Sequence, residues 1–392
     1  MTTPILLTCQ HTGAFGGVQH TLLDIARYIN RDKFEPIVLC SPGGELPSQL
    51  AKHNVCVRTV GKGEYLRYSS GQPFGTIRDV WSVTQEILRL AREESVQVVH
   101  AFDGMLFFAA SLAKLAQPNL KVIWLDSGFN LYPYHFRLVM KWCFKRAALV
   151  AAVTGIRRRQ LLQEGLDEFK SAVFPCGTDF HLRPQAETVA EREEVRVGIV
   201  GRLVPIKNFE LFLHAARIVA DAHAHVRFHI VGQPGFLQSD LDYFRSLETL
   251  IQQLNLTERI VFRQPVDDLS PVLGEFDVLV SSSHIETFGR TLVEAMAMAK
   301  PVVATAVGGV PEVVADNEVG FLVPAGDVVA MAEKINLLVE NLALRQAMGR
   351  NGVRRVLERF DVRAITRRWE QTYESLLQDQ TELRELMVGM SS

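Results

Sequence analysis

The densest set of chemically capable residues lies in "SSSHIETFGRTLVEAMA", residues 281–297, where Glu286 and Glu294 bracket Phe288 and Gly289. The apolar run "DVLVSS" before it reads as a strand and 290–298 as a helix, so 281–289 is a strand-to-helix loop. Glu286 lies on that loop, and Glu294 sits about one turn inside the helix. A carboxylate accepts two parallel hydrogen bonds, which suits a vicinal diol such as a ribose. The second carboxylate can accept from the hydroxyls of another sugar. Phe288 and Gly289, with the amide groups at the helix start, let a ligand approach the backbone closely. Taken singly, each acid also has an ordinary reading: Glu294 as a solvated helix face, Glu286 as a helix cap.

A second set occupies "VRVGIVGRLVPIKN", residues 195–208. A strand ends at Gly201; Arg202 follows on the loop, and Lys207 falls at the start of the next helix. Two cations at a strand's carboxyl end suit a diphosphate, each charge-assisted hydrogen bond being worth about 1.5–3 kcal/mol. Spacing alone fits surface charge flanking a helix equally well. Two diol-reading carboxylates with a diphosphate-reading Arg and Lys together describe a nucleotide-sugar site.

These loops need a scaffold, and the periodicity supplies one. In the first half, short apolar runs ("PILLTC", "EPIVLC", "VCVRTV", "VQVVHA", "KVIWLD", "ALVAAVT", "SAVFP") alternate with helical patterns. The polar, charged stretch at 182–194 reads as a linker. The alternation then restarts with "VRVGIVG", a helix over 207–220, "VRFHIVG", a helix over 238–254, "RIVFRQ", "FDVLVSS", the helix after Gly289, and "KPVVATA". Strands alternating with helices imply crossover units and a parallel sheet. The fold class is therefore α/β, with two doubly wound domains at 1–183 and 195–361. A helical segment at about 362–388 must bury its apolar face on one of them. Ligands of such sheets bind beyond the carboxyl ends of the strands, and two facing domains place them in a cleft.

Composition narrows the function classes. A length of 392 residues suits two domains. Lys+Arg of 42 against Asp+Glu of 44 gives a net charge of −2, which argues against a bulk nucleic-acid binder. No apolar stretch reaches the roughly 18 residues of a bilayer span. The start "MTTPILLTCQ" has no basic region before its apolar run and reads as a first strand rather than a signal peptide. Five scattered cysteines (Cys9, Cys40, Cys56, Cys143, Cys176) with no Cys-x-x-Cys pair fit a reducing cytoplasm, without disulfides or structural zinc. The sequence offers no cluster of metal ligands, so neither a metal nor a cofactor is expected beyond a nucleotide-sugar co-substrate. The Gly-x-Gly-x-x-Gly fingerprint of a nicotinamide dehydrogenase is absent from "TGAFGGVQ" and "VGRLVP".

The chain resembles the retaining glycosyltransferases of family 4, which share the two-Rossmann-domain GT-B fold. The resemblance runs over nearly the whole chain. It rests on "GGVQH" (16–20), "VGRLVPIKN" (200–208), "IVG" (230–232), residues 281–314 with their Glu-x7-Glu pattern, and "GFLVPAGD" (320–327). It implies that Glu294 holds the nucleotide ribose, Glu286 contacts donor-sugar hydroxyls, and Arg202 and Lys207 neutralise the diphosphate. Backbone at Phe288, Gly289 and Arg290 would face the donor. The Gly16–Gly17 loop would lie near the phosphates and the acceptor, with the base read by backbone around Gly232 and 263–267. It further implies a long C-terminal helix crossing back to the first domain. The implied chemistry is front-face transfer with retention, in which the departing diphosphate takes the acceptor proton and no metal is required.

Three departures from the family pattern stand out. Where a donor-touching histidine is usual after "KVIW", this chain has Asp126, which can bind a donor hydroxyl, receive the acceptor proton or cap the following segment. Ser282 replaces a usual proline and Arg290 a common leucine, both read as tolerated variation that leaves the carboxylates untouched. His100, at a strand end, is a candidate sugar or acceptor contact or a structural histidine. The basic, aromatic stretch at 132–146 and "GIRRRQ" at 155–160 suit contact with an anionic membrane, at the inner face of the cell membrane, or else an ordinary helix with aromatics inward and cations outward. Two rival functions stay open: a nucleotide-sugar epimerase using Asp126 and His100 as acid and base, and a non-catalytic sugar-binding subunit.

Overall fold

The computed structural model describes residues 2–10, 16–60, 73–128, 134–179, 194–235, 237–266 and 268–378. The chain divides into two compact units, Met1–Gly177 with Val362–Ser392, and Thr178–Asp361. The expected linker at 182–194 lies outside the described residues, save Glu194.

The first unit runs β1 (Thr3–Cys9), α1 (Gly17–Tyr28), β2 (Phe34–Cys40), α2 (Leu46–Ala51), β3 (Cys56–Thr59), α3 (Pro73–Glu93), β4 (Val98–Ala101), α4 (Gly104–Ala116), β5 (Lys121–Asp126), α5 (Tyr134–Arg146), β6 (Leu149–Ala152), α6 (Gly155–Gln163) and β7 (Ser171–Val173). Its sheet has the order β3-β2-β1-β4-β5-β6-β7, with every pairing parallel. Strands such as Ile5–Leu7 and Val98–Ala101 are buried because both faces of a parallel sheet are covered by helices.

The second unit runs β8 (Val195–Val200), α7 (Phe209–Ala222), β9 (Val226–Val231), α8 (Gln238–Gln253), β10 (Ile260–Arg263), α9 (Ser270–Glu275), β11 (Val278–Ser281), α10 (Arg290–Ala297), β12 (Val302–Thr305), α11 (Val310–Val313), β13 (Gly320–Val323), α12 (Val328–Glu340) and α13 (Leu342–Arg359). Its parallel order is β10-β9-β8-β11-β12-β13. The strand order reverses between β8 and β11, which pair directly through Val280 and Ile199. A reversal of this kind splays the flanking loops and leaves a crevice at the carboxyl ends. The loop after β8 carries Arg202 and Lys207, and the loop after β11 carries Glu286. Topology alone thus brings together the two sets of residues singled out by their chemistry.

The last helix, α14 (Val362–Gln378), belongs to the first unit. Its Trp369 stacks on Phe174 at 3.7 Å between ring centroids, Tyr373 is fully buried, and Glu370 accepts from the Asn30 amide at 2.7 Å. The orphan C-terminal helix therefore buries its apolar face on the first sheet, and residues 379–392 lie outside the described part.

Two features differ from the sequence reading. The helix expected from 207 begins at Phe209, because Pro205–Lys207 forms a short 3-10 turn and Asn208 adopts a left-handed conformation (φ 50°, ψ 56°) as the helix cap. Its side chain accepts from the Leu211 amide. Lys207 thus sits on the turn before the helix, not on the helix. Strand β13 and helices α12 and α13, which complete the second unit, had no counterpart in the expected elements.

Candidate active site

At the second unit's switch point, loops 201–208 and 281–289 are fastened to each other. The Ser282 hydroxyl donates to the Lys207 carbonyl at 3.0 Å, and the His284 amide donates to the Ile206 carbonyl at 2.9 Å. From the other side, the Thr305 hydroxyl donates to the Ser283 carbonyl at 2.7 Å, and the Gly309 amide to the Glu286 carbonyl at 3.0 Å. The loop that carries Glu286 is therefore held on both flanks.

Within this frame the Lys207 ammonium meets the Glu286 carboxylate at 2.5 Å. Their side chains keep 30% and 17% of their exposure, so the pair can still be reached from solvent. Arg202, earlier on the same loop, is exposed and has no ion-pair partner among the described residues. One cation is thus engaged and one stands open.

Gly289 has φ 87° and ψ 56°, a left-handed conformation that caps α10, and a Cβ there would lie 2.8 Å from Leu292 Cδ1. Only glycine fits such a position without strain. Phe288 is buried with its ring edge-on to Phe360 at 5.6 Å, so its side chain anchors the loop. On the first turn of α10, Arg290 donates through Nε to Glu294 Oε1 at 3.1 Å, and both side chains are largely buried. Arg290 therefore does touch a carboxylate, contrary to the expectation from sequence. Gly232 has a packing reason to be glycine: a Cβ there would sit 2.0 Å from the Gly201 carbonyl oxygen.

In the first unit the sequence-selected residues are more fully committed. Asp126 ends β5 and is 1% exposed. Its Oδ2 meets Arg157 Nε at 2.8 Å and Nη2 at 2.7 Å, and its Oδ1 accepts from the Gly128 amide at 3.2 Å. Burial pushes its carboxyl up to about 6, even with the Arg157 guanidinium pulling it down. Arg157 also reaches Glu164 at 3.1 Å. No local signal announces this partner, since Arg157 is 31 residues away along the chain.

His100 is fully buried, bonded through Nδ1 to the Tyr373 hydroxyl at 2.8 Å and packed against Trp369 and Phe102. Burial lowers its pKa to about 3. Its ring faces α14, which makes it a core histidine in this arrangement. Gly16 caps α1, its amide donating to Gln19 Oε1 at 3.1 Å, and a Cβ at Gly17 would meet nothing within 4 Å among the described residues. Asp103, which the sequence reading passed over, caps α4 and accepts from the Gln10 amide at 3.0 Å. An aspartate directly before an apolar helical run was a readable cap.

Among the described residues, no group of three or more His, Cys, Asp or Glu could hold a metal ion, and no helix is long and apolar enough to cross a membrane.

The geometry can be set beside known proteins. A D-inositol 3-phosphate glycosyltransferase of Geodermatophilus obscurus is 29% identical over 88% of this chain and 74% of that protein. The capsular polysaccharide biosynthesis glycosyltransferase CapM of Staphylococcus aureus is 30% identical over 47% of each, so that match spans about half of either chain. Among solved structures, a glycosyltransferase from Rickettsia africae superposes with a TM-score of 0.81 at 22% identity, covering 96% of this chain and 99% of that one. HepE of Anabaena, solved with UDP and glucose, gives 0.79 at 24% identity over 95% and 99%. These two share the GT-B fold with this chain. The Glycosyltransferase Family 4 description matches residues 15–182, and Glycosyl transferases group 1 matches 184–355. Covered from residue 15 to residue 355 by these two descriptions, save residue 183, the chain belongs to the family 4 glycosyltransferases.

Proposed function

We propose that this glycosyltransferase moves a sugar from a nucleotide-diphosphate sugar to an acceptor hydroxyl, with retention of anomeric configuration and without a metal. The observation that carries this reading is the Lys207–Glu286 pair on two fastened loops, with the exposed Arg202 on the loop that carries Lys207 and Glu294 one turn into the helix that follows Glu286. A diphosphate entering there meets two cations. It draws the Lys207 ammonium from Glu286, which frees that carboxylate for donor-sugar hydroxyls, while Glu294 receives the ribose. As the sugar–oxygen bond breaks, charge grows on the diphosphate, and Arg202 and Lys207 stabilise it in place. The departing oxygen takes the acceptor proton on the same face. HepE of Anabaena, solved with UDP and glucose, motivates UDP as the first nucleotide to try. The capsular and inositol-phosphate relatives motivate a cell-envelope glycan, a lipid-linked sugar or a small molecule as acceptor.

The epimerase alternative needs an acid and a base, and its two candidates are taken: Asp126 is bound to Arg157, and His100 is sealed beneath α14. A binding subunit has no use for the open arginine and the separable Lys–Glu pair. The discriminating experiment is incubation with a panel of nucleotide-sugars, with and without EDTA. Free nucleoside diphosphate plus a new glycoside of unchanged anomeric configuration, indifferent to EDTA, supports the proposal. An isomerised donor supports the epimerase, and binding without turnover supports the subunit.

A cytoplasmic enzyme touching the inner face of the membrane is part of this proposal. On α5, Phe136 and Phe144 are buried while Arg137, Leu138, Lys141 and Lys145 face outward, which suits an anionic lipid surface. The "GIRRRQ" segment contributes less than its composition suggests, because Arg157 is buried against Asp126. Sedimentation with anionic liposomes at low salt tests this, and a protein left in the supernatant refutes it.

A further inference from the structure

We propose that Ser282 is a positioning residue for Lys207, an inference that rests on the donor site described above. The turn Pro205–Lys207 precedes α7 rather than belonging to it. The first backbone bond of that helix runs from the Leu211 amide to the Asn208 carbonyl, so the Lys207 carbonyl lies outside the helical ladder. The donor it finds is the hydroxyl of Ser282, 1% exposed and 75 residues further along.

Lys207 is consequently tied to one loop at both ends. Its carbonyl is held by Ser282, and its ammonium by Glu286. The two ties differ in kind. The ammonium–carboxylate tie is partly exposed and must open when a diphosphate competes for the cation. The hydroxyl–carbonyl tie is neutral and comes from a buried serine, with nothing in the reaction to compete for it. It keeps the stem of Lys207 in register while the head changes partner. Lys207 then meets the diphosphate without first having to be ordered, which is the condition under which a cation favours the transition state over the ground state. The residue usual at this position in the family, proline, has no hydroxyl to offer.

The test uses the full chain as Ser282→Ala, Ser282→Thr, Lys207→Ala and the double Ser282→Ala/Lys207→Ala. Affinity is measured by calorimetry with uridine and guanosine diphosphates, and turnover with the donor found in the panel. Loss of one neutral hydrogen bond corresponds to roughly a three- to tenfold effect. Ser282→Ala is expected to lower kcat by about that factor with a smaller change in donor KM, and to weaken nucleoside diphosphate binding about threefold. Ser282→Thr is expected to recover most of both. In the Lys207→Ala background, Ser282→Ala is expected to add nothing. An equal loss in that background, or an unchanged kcat and affinity in Ser282→Ala, overturns the proposal. Should Lys207→Ala itself leave diphosphate binding intact, the donor-site reading fails and this inference falls with it. A Ser282→Ala effect missing beside a strong Lys207→Ala effect condemns the inference alone.

Discussion

Lys207 and Glu286 are joined at 2.5 Å across loops that follow two adjacent strands, so the cation chosen for a diphosphate and the acid chosen for a sugar are bound to each other. The pair is only partly buried, and pairs of that kind contribute about 0–1 kcal/mol to folding. Under the proposed function its value to the protein lies in the reaction. Lys207→Ala is expected to lower kcat at saturating donor by about a hundred- to a thousandfold, while the melting temperature falls by no more than a few degrees, in proportion to about 1 kcal/mol or less. Steady-state kinetics with thermal melting checks both. A variant that melts early and turns over normally would make the pair structural.

Arg290 and Glu294, one turn apart on α10, invite a different experiment. Their ion pair is largely buried, and Arg290→Leu removes one of the partners of Glu294. Ribose hydroxyls arriving with the nucleotide would supply new donors to the same carboxylate. Arg290→Leu is therefore expected to destabilise the empty protein more than the nucleotide-bound one. The measurement is the rise in melting temperature on saturating UDP, which should be larger in the variant than in the parent. A smaller rise would show that Arg290 itself holds the nucleotide.

Much of this arrangement was legible in the sequence. Apolar runs such as Val195–Val200 and Val278–Ser281 read as strands because a parallel sheet needs them buried on both faces. Once the strands were placed, a ligand site beyond their carboxyl ends followed, but the strand order that sets β8 beside β11 and the direct pairing of Lys207 with Glu286 did not. The turn at 205–207 was also within reach, since Pro205 and Asn208 are residues that stop and restart a helix. Other parts were not legible. The pairing of Asp126 with Arg157 depends on two elements packing side by side, and no spacing rule connects them. Ser282 and Arg290 looked like neutral variation because their partners, a backbone carbonyl and a residue already given another role, leave no compositional trace. The sealing of His100 by Tyr373 required knowing where α14 lands, which periodicity leaves open between two domains.

Asp126 and Arg157 give the sharpest test of anchor against catalyst. Removing one member of a buried ion pair leaves the other charge stranded, typically at about 3–5 kcal/mol, whereas replacing both with apolar residues costs far less. Asp126→Leu and Arg157→Leu should each destabilise the protein strongly, and the double variant should be more stable than either. Denaturant titration reads this directly. If Asp126→Leu instead kept its stability and lost turnover, the carboxylate would be a reacting group and Arg157 its activator.

His100 makes acid stability a reporter of how α14 is seated. In the folded chain its pKa is lowered to about 3 by burial, while in the unfolded chain it returns to near 6.5. Below pH 6.5 the unfolded state takes up a proton that the folded state refuses, so stability falls as the pH drops from 6.5 toward 3. At pH 5 this one group costs about 2 kcal/mol relative to pH 8. His100→Gln removes the titration, keeps a polar partner for Tyr373, and should lose less stability than the parent between pH 8 and pH 5. Other groups, including the carboxyls of Asp103 and Asp126 that burial pushes up to about 6, are common to both proteins and cancel in the difference. Equal losses in parent and variant would mean that His100 reaches solvent when the chain is folded. The helix carrying Trp369 and Tyr373 would then have to lift from the first sheet, and His100 would return as a candidate contact for sugar.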